Sequence, residues 1–334
     1  MNPISRERLF GYAHAFDDSS VRLLVWVIVG ILVAAIVGIG GVAVSGRAGA
    51  EFRRELVKRY LAWVVMVPLV AIPILAGAFW AIGLVAILSL LCYREFARAT
   101  GLFRDKAMTV TVVVGVLATA FATLDHWYGL FAAIPALAFV VILAVAILGD
   151  QPKGYIQRVG LTGLAFLLFG VCLGHLAYFA NDTHYRGLMM LILVCVGMND
   201  VFAFCVGKAV GGAKILPRTS PNKTISGSVG AVVLTAGLFY ALGSEVFRGT
   251  VLGSPVHLVV MGVMLSVAGQ LGDLTISSIK RDVGIKDMGV IIPGHGGVLD
   301  RCNSLLIAAP AMFHYLGYFL GVGLDQPVRI FTSR

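Results

Sequence analysis

Residues 272–304 read GDLTISSIKRDVGIKDMGVIIPGHGGVLDRCNS, and this stretch decides how the chain is interpreted. It gathers Asp273, Lys280, Arg281, Asp282, Lys286, Asp287, His295, Asp300 and Arg301 in a chain that is only 13% charged. It also sets three glycines around one histidine in Pro293-Gly294-His295-Gly296-Gly297. Apolar runs at 251–271 and 305–322 flank it, each long enough to cross a bilayer as a helix. Carboxylates, cations and permissive backbone concentrated between two membrane spans suggest a site that handles a metal and phosphates.

Working outward, the same contrast repeats along the 334 residues, of which 59% are hydrophobic. A soluble domain carries about 25% charged residues; half that value argues for an integral membrane protein. Apolar runs fall at 23–44, 61–93, 107–123, 127–148, 159–180, 187–206, 229–242, 251–271 and 305–322. The run 61–93 is too long for one upright helix. Pro68, Pro73 and Gly77 interrupt it, and proline breaks or kinks a helix, so it reads as a hairpin near Gly77. The expectation is an all-α polytopic integral membrane protein of about 9–10 transmembrane helices with a cytoplasmic-side polar cavity. Residues 1–186 form the N-terminal membrane helices, about six spans, and 187–334 a C-terminal catalytic membrane region.

The net charge of +9 does not point to nucleic acid. The basic residues sit in the short loops 46–60, 94–106, 149–158, 207–228 and 273–303, which alternation places on one side. The positive-inside rule makes that side cytoplasmic and puts both termini opposite. The five cysteines, Cys92, Cys172, Cys195, Cys205 and Cys302, are odd in number and contain no Cys-x-x-Cys. They read as buried small hydrophobes rather than a disulfide or zinc framework. No cleavable leader is evident before the first apolar run.

If the helix of 251–271 continues, Asp273, Ser277, Lys280 and Arg281 fall at i, i+4, i+7 and i+8 and share a face. Gly284 is a plausible stop for it. Glycines 294, 296 and 297 let backbone approach a ligand and turn its N–H groups inward. Asp300, Asn303 and Ser304 lie on one face where the last helix opens, an end that favours phosphate. The plain alternative is a solvated loop that only sets topology; two aspartates at helix ends beside Lys-Arg and Asp-Arg pairs argue against it. Asp200 lies inside an apolar span, where a carboxylate costs at least ~2.5–3.5 kcal/mol, and so reads as a metal or cation partner. Thr219-Ser220-Pro221-Asn222-Lys223-Thr224 can hold polyphosphate through Lys223 and its hydroxyls, although it does not match the P-loop. His175, His257 and His314 are read as hydrogen-bonded core residues.

These residues resemble the integral-membrane phosphatidate cytidylyltransferases, or CDP-diglyceride synthases. That family's pattern Ser-x-x-Lys-Arg-x4-Lys-Asp, then Pro-x-His-Gly-Gly-x-x-Asp-Arg-x-Asp, stands here as Ser277-Ser278-Ile279-Lys280-Arg281, Lys286-Asp287, Pro293-Gly294-His295-Gly296-Gly297 and Asp300-Arg301-Cys302-Asn303. Asn199-Asp200, Ser220-Pro221-x-Lys223-Thr224 and Glu95-Phe96-Ala97-Arg98 also resemble it. Two positions depart: Asn303 stands where the family has a final Asp, and Ile276 where it usually has a Glu.

The resemblance implies transfer of CMP from CTP to phosphatidate, giving CDP-diacylglycerol and pyrophosphate. Asp273, Lys280, Arg281, Lys286, Asp287, His295, Asp300 and Arg301 would carry the chemistry. Ser220, Lys223, Thr224, Ser277, Gly294, Gly296 and Gly297 would bind substrate. Asp273 and Asp300, with Asp200 as a further candidate, would hold Mg²⁺, with room for a second, monovalent cation. The expected partners are CTP, phosphatidate or a related lipid phosphate, and membrane lipid, but no nucleic acid; a homodimer is compatible. The expected location is the bacterial inner membrane, with the site facing the cytoplasm. Alternatives left open are a cytidylyltransferase or CTP-dependent kinase acting on another lipid, and a non-enzymatic transporter or inactive paralogue.

Overall fold

A computed structural model describes residues 3–44, 49–292, 296–321 and 329–332. The described chain is almost wholly helical. Its elements are α1 (Pro3–Phe10), α2 (Ser19–Val44), α3 (Ala50–Ala76), α4 (Ala78–Thr100), α5 (Lys106–Leu124), α6 (Tyr128–Leu148) and α7 (Tyr155–Phe166). A π-helical stretch at Leu167–Cys172 leads into α8 (Leu173–Tyr178). Then come α9 (Tyr185–Val210), a hairpin of β1 (Lys214–Leu216) and β2 (Ser220–Thr224), α10 (Ile225–Val246), α11 (Pro255–Asp282), α12 (Leu299–Cys302) and α13 (Leu305–Leu320).

Nine helical segments among the described residues are long and apolar enough to cross a membrane. Helices are the economical way to span one, because every backbone N–H and C=O finds a partner within the segment. The tenth expected span is α13, which at 16 residues with an internal Pro310 is short. The proposed hairpin at 61–93 is present: Gly77 separates α3 from α4 at φ 142°. A Cβ there would collide with the Leu9 carbonyl, so the missing side chain lets α1 close over the break.

Local chemistry explains several other boundaries. Asp105 caps α5 by accepting the Met108 N–H at 3.1 Å, and Pro255 sits in the first turn of α11, where its missing N–H has no helical role. Gly284, at φ 74°, follows the end of α11 as expected. The expectation of a plain loop at 207–228 is corrected. Lys214–Leu216 pairs antiparallel with Ser220–Thr224, and α9 and α10 run right up to this hairpin.

The helices differ in what surrounds them. α2 and α3 are almost unburied, presenting Trp26, Val37, Trp63 and Val65 outward, a surface suited to lipid. The core lies between α4, α5, α8, α9, α11 and α13, with Phe96, Phe169, Phe179 and Phe313 fully buried. It is continuous through helices from both halves of the chain. Packing between spans gains little from the hydrophobic effect in lipid, so close approach and internal hydrogen bonds matter more. Asn199 shows this: its Oδ1 accepts from Ser266 on α11 and from Thr235 on α10, the latter at 3.2 Å. One amide thereby ties three spans together.

At the end of the bundle away from the hairpin, the segment 329–332 folds over the α5–α6 turn. The buried Asp125 carboxylate accepts the Ile330, Phe331 and Thr332 N–H groups and the Thr332 hydroxyl, while Arg329 lies 4.4 Å over the Trp127 ring. Burial pushes the Asp125 carboxyl up, but these hydrogen bonds outweigh it and hold it below the ordinary carboxylate range. A lowered folded-state value means the clasp contributes above the usual carboxylate pKa of about 3.9 and is lost as pH falls through the lower folded value. A nitroxide at position 331 (F331C in a C205S background) should be immobile at neutral pH, mobile at neutral pH in D125N, and mobile in the parent only at a pH below the ordinary carboxylate pKa of about 3.9.

Candidate active site

The polar residues of the opening stretch gather at the hairpin end of the bundle, and α11 is their spine. It runs unbroken to Asp282, so Asp273, Ser277, Lys280 and Arg281 do descend one side of a helix. Gly272 allows the next element to come close: a Cβ there would strike the Asn303 carbonyl. The turn between α12 and α13 therefore packs directly on α11, and the Asn303 amide donates to Asp273 Oδ1.

Each of two α11 side chains is paired across elements. Asp273 forms an ion pair with Lys223 from β2. Lys280 donates to Asp300 Oδ1 on α12 at 2.9 Å, with both side chains largely buried. The second oxygen of Asp300 accepts the Met288 and Gly297 N–H groups, each at 2.9 Å. Asp300 thus ties Met288 and Gly297 to the end of α11. Arg281 donates to the Thr219 carbonyl at 3.3 Å and the Ile285 carbonyl at 3.2 Å, which anchors the hairpin turn to the end of α11.

Asp200 faces the same place from α9. Its side chain reaches the surface of the bundle but is packed among protein atoms, and Asp273, Lys223 and Arg301 are the charged groups near it. Its neighbour Asn199 fixes the helix through the bonds to Ser266 and Thr235. Lys223 and Asp273 are in direct contact, Asp200 interacts with that pair and with Arg301 at longer range, and Lys280 with Asp300 lies about two turns further along α11.

Other expected site residues take different places. Thr224 caps α10, its hydroxyl accepting the Gly227 N–H at 3.1 Å, and Ser220 opens β2. Ser277 is buried beside this face, whereas Lys286 and Asp287 are exposed. Gly296, at φ 82°, wraps Asp300: a Cβ there would come within 2.9 Å of Asp300 Oδ2. Gly294 and His295 lie outside the described residues. His175 is a buried core residue bonded to the Val171 carbonyl at 2.8 Å, and the half-buried His257 is bonded to the Tyr315 hydroxyl at 2.7 Å, but His314 is exposed rather than in the core.

The two departures also find a physical setting. Asn303 keeps contact with Asp273, but as a donor; its own oxygen accepts the Ser304 N–H at 2.8 Å. Ile276 is fully buried in the apolar core. A residue given no role by sequence reasoning is Glu95, near the end of α4. It is only 3% exposed and accepts the Val298 N–H at 3.0 Å and the Leu299 N–H at 2.9 Å. The available signals were the family-like Glu95-Phe96-Ala97-Arg98 and a carboxylate two residues past a long apolar run.

The fit to a metal is uneven. Among the described residues no three His, Cys, Asp or Glu side chains converge. Asp200 and Asp273 are close enough to feel one another, and Mg²⁺ commonly takes only one or two carboxylates and fills the rest of its shell with water and substrate phosphate. That pair fits. Asp300 is already engaged by one ammonium and two N–H groups and fits less well.

An all-helical membrane bundle with alternating carboxylates and cations at one end defines a polytopic membrane protein built to handle phosphorylated ligands near the bilayer surface. The chain belongs to the cytidylyltransferase family, whose model matches residues 57–319. It is 31% identical over 252 residues to a phosphatidate cytidylyltransferase of Bacillus subtilis, covering 72% of this chain and 87% of that one. It is 32% identical over 285 residues to one of Helicobacter pylori, covering 83% and 98% respectively. It is also 30% identical over 190 residues to the uncharacterised protein YnbB of Escherichia coli, covering 55% of this chain and 62% of that one.

Removing one partner of a buried pair leaves the other charge uncompensated, at a cost of about 3–5 kcal/mol. K280M should lower stability by that order in detergent unfolding, and K280M/D300N by clearly less than the sum of the two single changes.

Proposed function

We propose that this protein transfers CMP from CTP to phosphatidate, making CDP-diacylglycerol and pyrophosphate. The observation that carries the reading is the joining of Lys223–Asp273 and Lys280–Asp300 on one spine helix, next to Asp200 in a membrane span and within the family match. A phosphate monoester has a second pKa of about 6, so the lipid phosphate is already ionised at neutral pH. One of its oxygens attacks the α-phosphorus of CTP; that P–O bond forms as the bond to the β-phosphate oxygen breaks, and pyrophosphate leaves.

No strong general base is needed. The difficulty is bringing two polyanions together in line, and catalysis depends on positioning and charge neutralisation. Lys223 and Arg301, beside Asp200 and Asp273, bind phosphate at one end of the cluster. Lys280 and Arg281 bind it at the other, with Arg281 also holding the hairpin turn in place. Asp200 and Asp273 hold Mg²⁺, which supplies charge neutralisation at the phosphates when bound; Asp300 orients Lys280.

The lipid keeps its chains in the bilayer and brings its head to the helix ends from the side. We place the chain in the inner membrane with this end toward the cytoplasm, where the basic loops belong and CTP is available. A homodimer is compatible with the broad lipid-facing surface of α2 and α3, and cross-linking in membranes tests it.

Purified protein given CTP and phosphatidate should carry label from the α-phosphate into the lipid and leave label from the γ-phosphate in pyrophosphate. Transfer of the γ label to lipid would make it a kinase and overturn the reading. D273N should reduce CMP transfer by on the order of 10²-fold or more, and chelation of divalent cations should abolish it reversibly.

A further inference from the structure

Glu95 comes from the first half of the chain, yet it is built into the heart of the signature segment. Its two oxygens take the N–H groups of Val298 and Leu299 separately, and these residues lead directly into Asp300 and Arg301. The segment closes on the carboxylate from two sides: a Cβ at Gly289 or at Gly297 would collide with it. Among the described residues Glu95 makes no ion pair with a Lys, Arg or His. A buried carboxylate without a cation must have its hydrogen bonds met, so the segment is constrained to present those N–H groups to it.

The contacts of Glu95 and Asp300 interleave. Glu95 meets residues 289, 297, 298 and 299; Asp300 meets the N–H groups of 288 and 297. The two carboxylates therefore hold residues 288–289 and 296–299 against one another. α12 is a single turn of four residues, too short to hold its own shape. What fixes it is Glu95 on the α4 side and the Asp300–Lys280 pair on the α11 side.

We propose that Glu95 is a positioning residue for the transfer reaction. It acts through Asp300, setting where Lys280 and Arg301 stand relative to Asp273, without touching either substrate. This rests on the reading of the site given above. Gln at this position offers one acceptor and turns an NH₂ against a backbone N–H, so it loses one of the two bonds. Asp keeps both acceptor oxygens on a shorter arm.

The test is a double-mutant cycle on CMP transfer with purified protein, normalised to the folded fraction. E95Q should lower kcat by on the order of 10²-fold, the loss expected when reacting groups are misplaced by about 1 Å. Its KM for CTP should stay within about threefold, and E95D should recover part of kcat. E95Q/D300N should be no worse than D300N alone. Should E95Q fail to fold, G289A, which crowds the carboxylate without removing it, takes its place in the cycle.

Wild-type kcat in folded E95Q or G289A, or additive losses in the double variant, would overturn the proposal while leaving the activity itself intact. If the wild-type protein makes no CDP-lipid, the functional reading fails and positioning is judged on Lys280 alone. Amine acylation followed by mass spectrometry should then find Lys280 shielded in the parent and reactive in E95Q. Equal shielding in both would rule out a positioning role.

Discussion

The buried carboxylate of Asp300 is the constraint on which the rest of the site depends. It is 8% exposed at the end of a membrane bundle, where a lone charge is costly. The chain meets that cost with an ammonium and two amide N–H groups. Each partner then fixes something else. Lys280 fixes the relation of α12 to α11, the Met288 and Gly297 amides are held beside that pair, and Gly296 adopts a left-handed conformation in contact with the carboxylate. A fourth anchor, Glu95, holds the start of α12 to α4. The polar segment that looked like a loop between two spans is thus a framed piece of structure.

Much of this was legible in the sequence because the relevant signals were local. Asp273, Ser277, Lys280 and Arg281 share a helix face by spacing alone, and Gly284 marks where that helix stops. The break at Gly77 followed from two prolines and a glycine in a run too long for one span. Asp200 stood out because a carboxylate in an apolar span needs a reason, and its neighbours Asp273, Lys223 and Arg301 supply one. The Lys223 loop was legible as a polar, basic link but not as a hairpin. Pro221 and Asn222 are poor strand formers, and the pairing depends on where α9 and α10 hold its two ends.

What was not legible depends on contacts between residues far apart in the chain. Glu95 meets Val298 and Leu299 some two hundred residues away, and no periodicity announces such a pairing. Asp125 similarly gave no sign that it would hold 330–332. The glycines of the signature were open to misreading for the same reason. Glycine lets backbone approach something closely, but the sequence does not say what. Around Gly297 the close neighbour is the Glu95 carboxylate, so that glycine accommodates the protein's own side chain as well as contributing an N–H to Asp300.

The charge balance of the site follows from these pairings. Lys223, Lys280, Arg281 and Arg301 stand against Asp200, Asp273 and Asp300, so cations exceed carboxylates by only one. CTP and a lipid phosphate together bring several negative charges, the phosphomonoester alone contributing about −1.5 to −2 at neutral pH. The side chains cannot neutralise both substrates while remaining paired with one another. Either the lysines leave their aspartates for the phosphates, exposing carboxylates that then need a cation, or a cation must arrive with the nucleotide. A divalent ion arriving with the nucleotide would meet that need, and Asp273 and Asp200 are the residues that would hold it. Lys280 has less freedom to move, because releasing Asp300 would also loosen the amides that shape the segment. Lys223 pairs with Asp273, which anchors no backbone amide among the described contacts, so releasing Lys223 to a phosphate would disturb less of the fold than releasing Lys280.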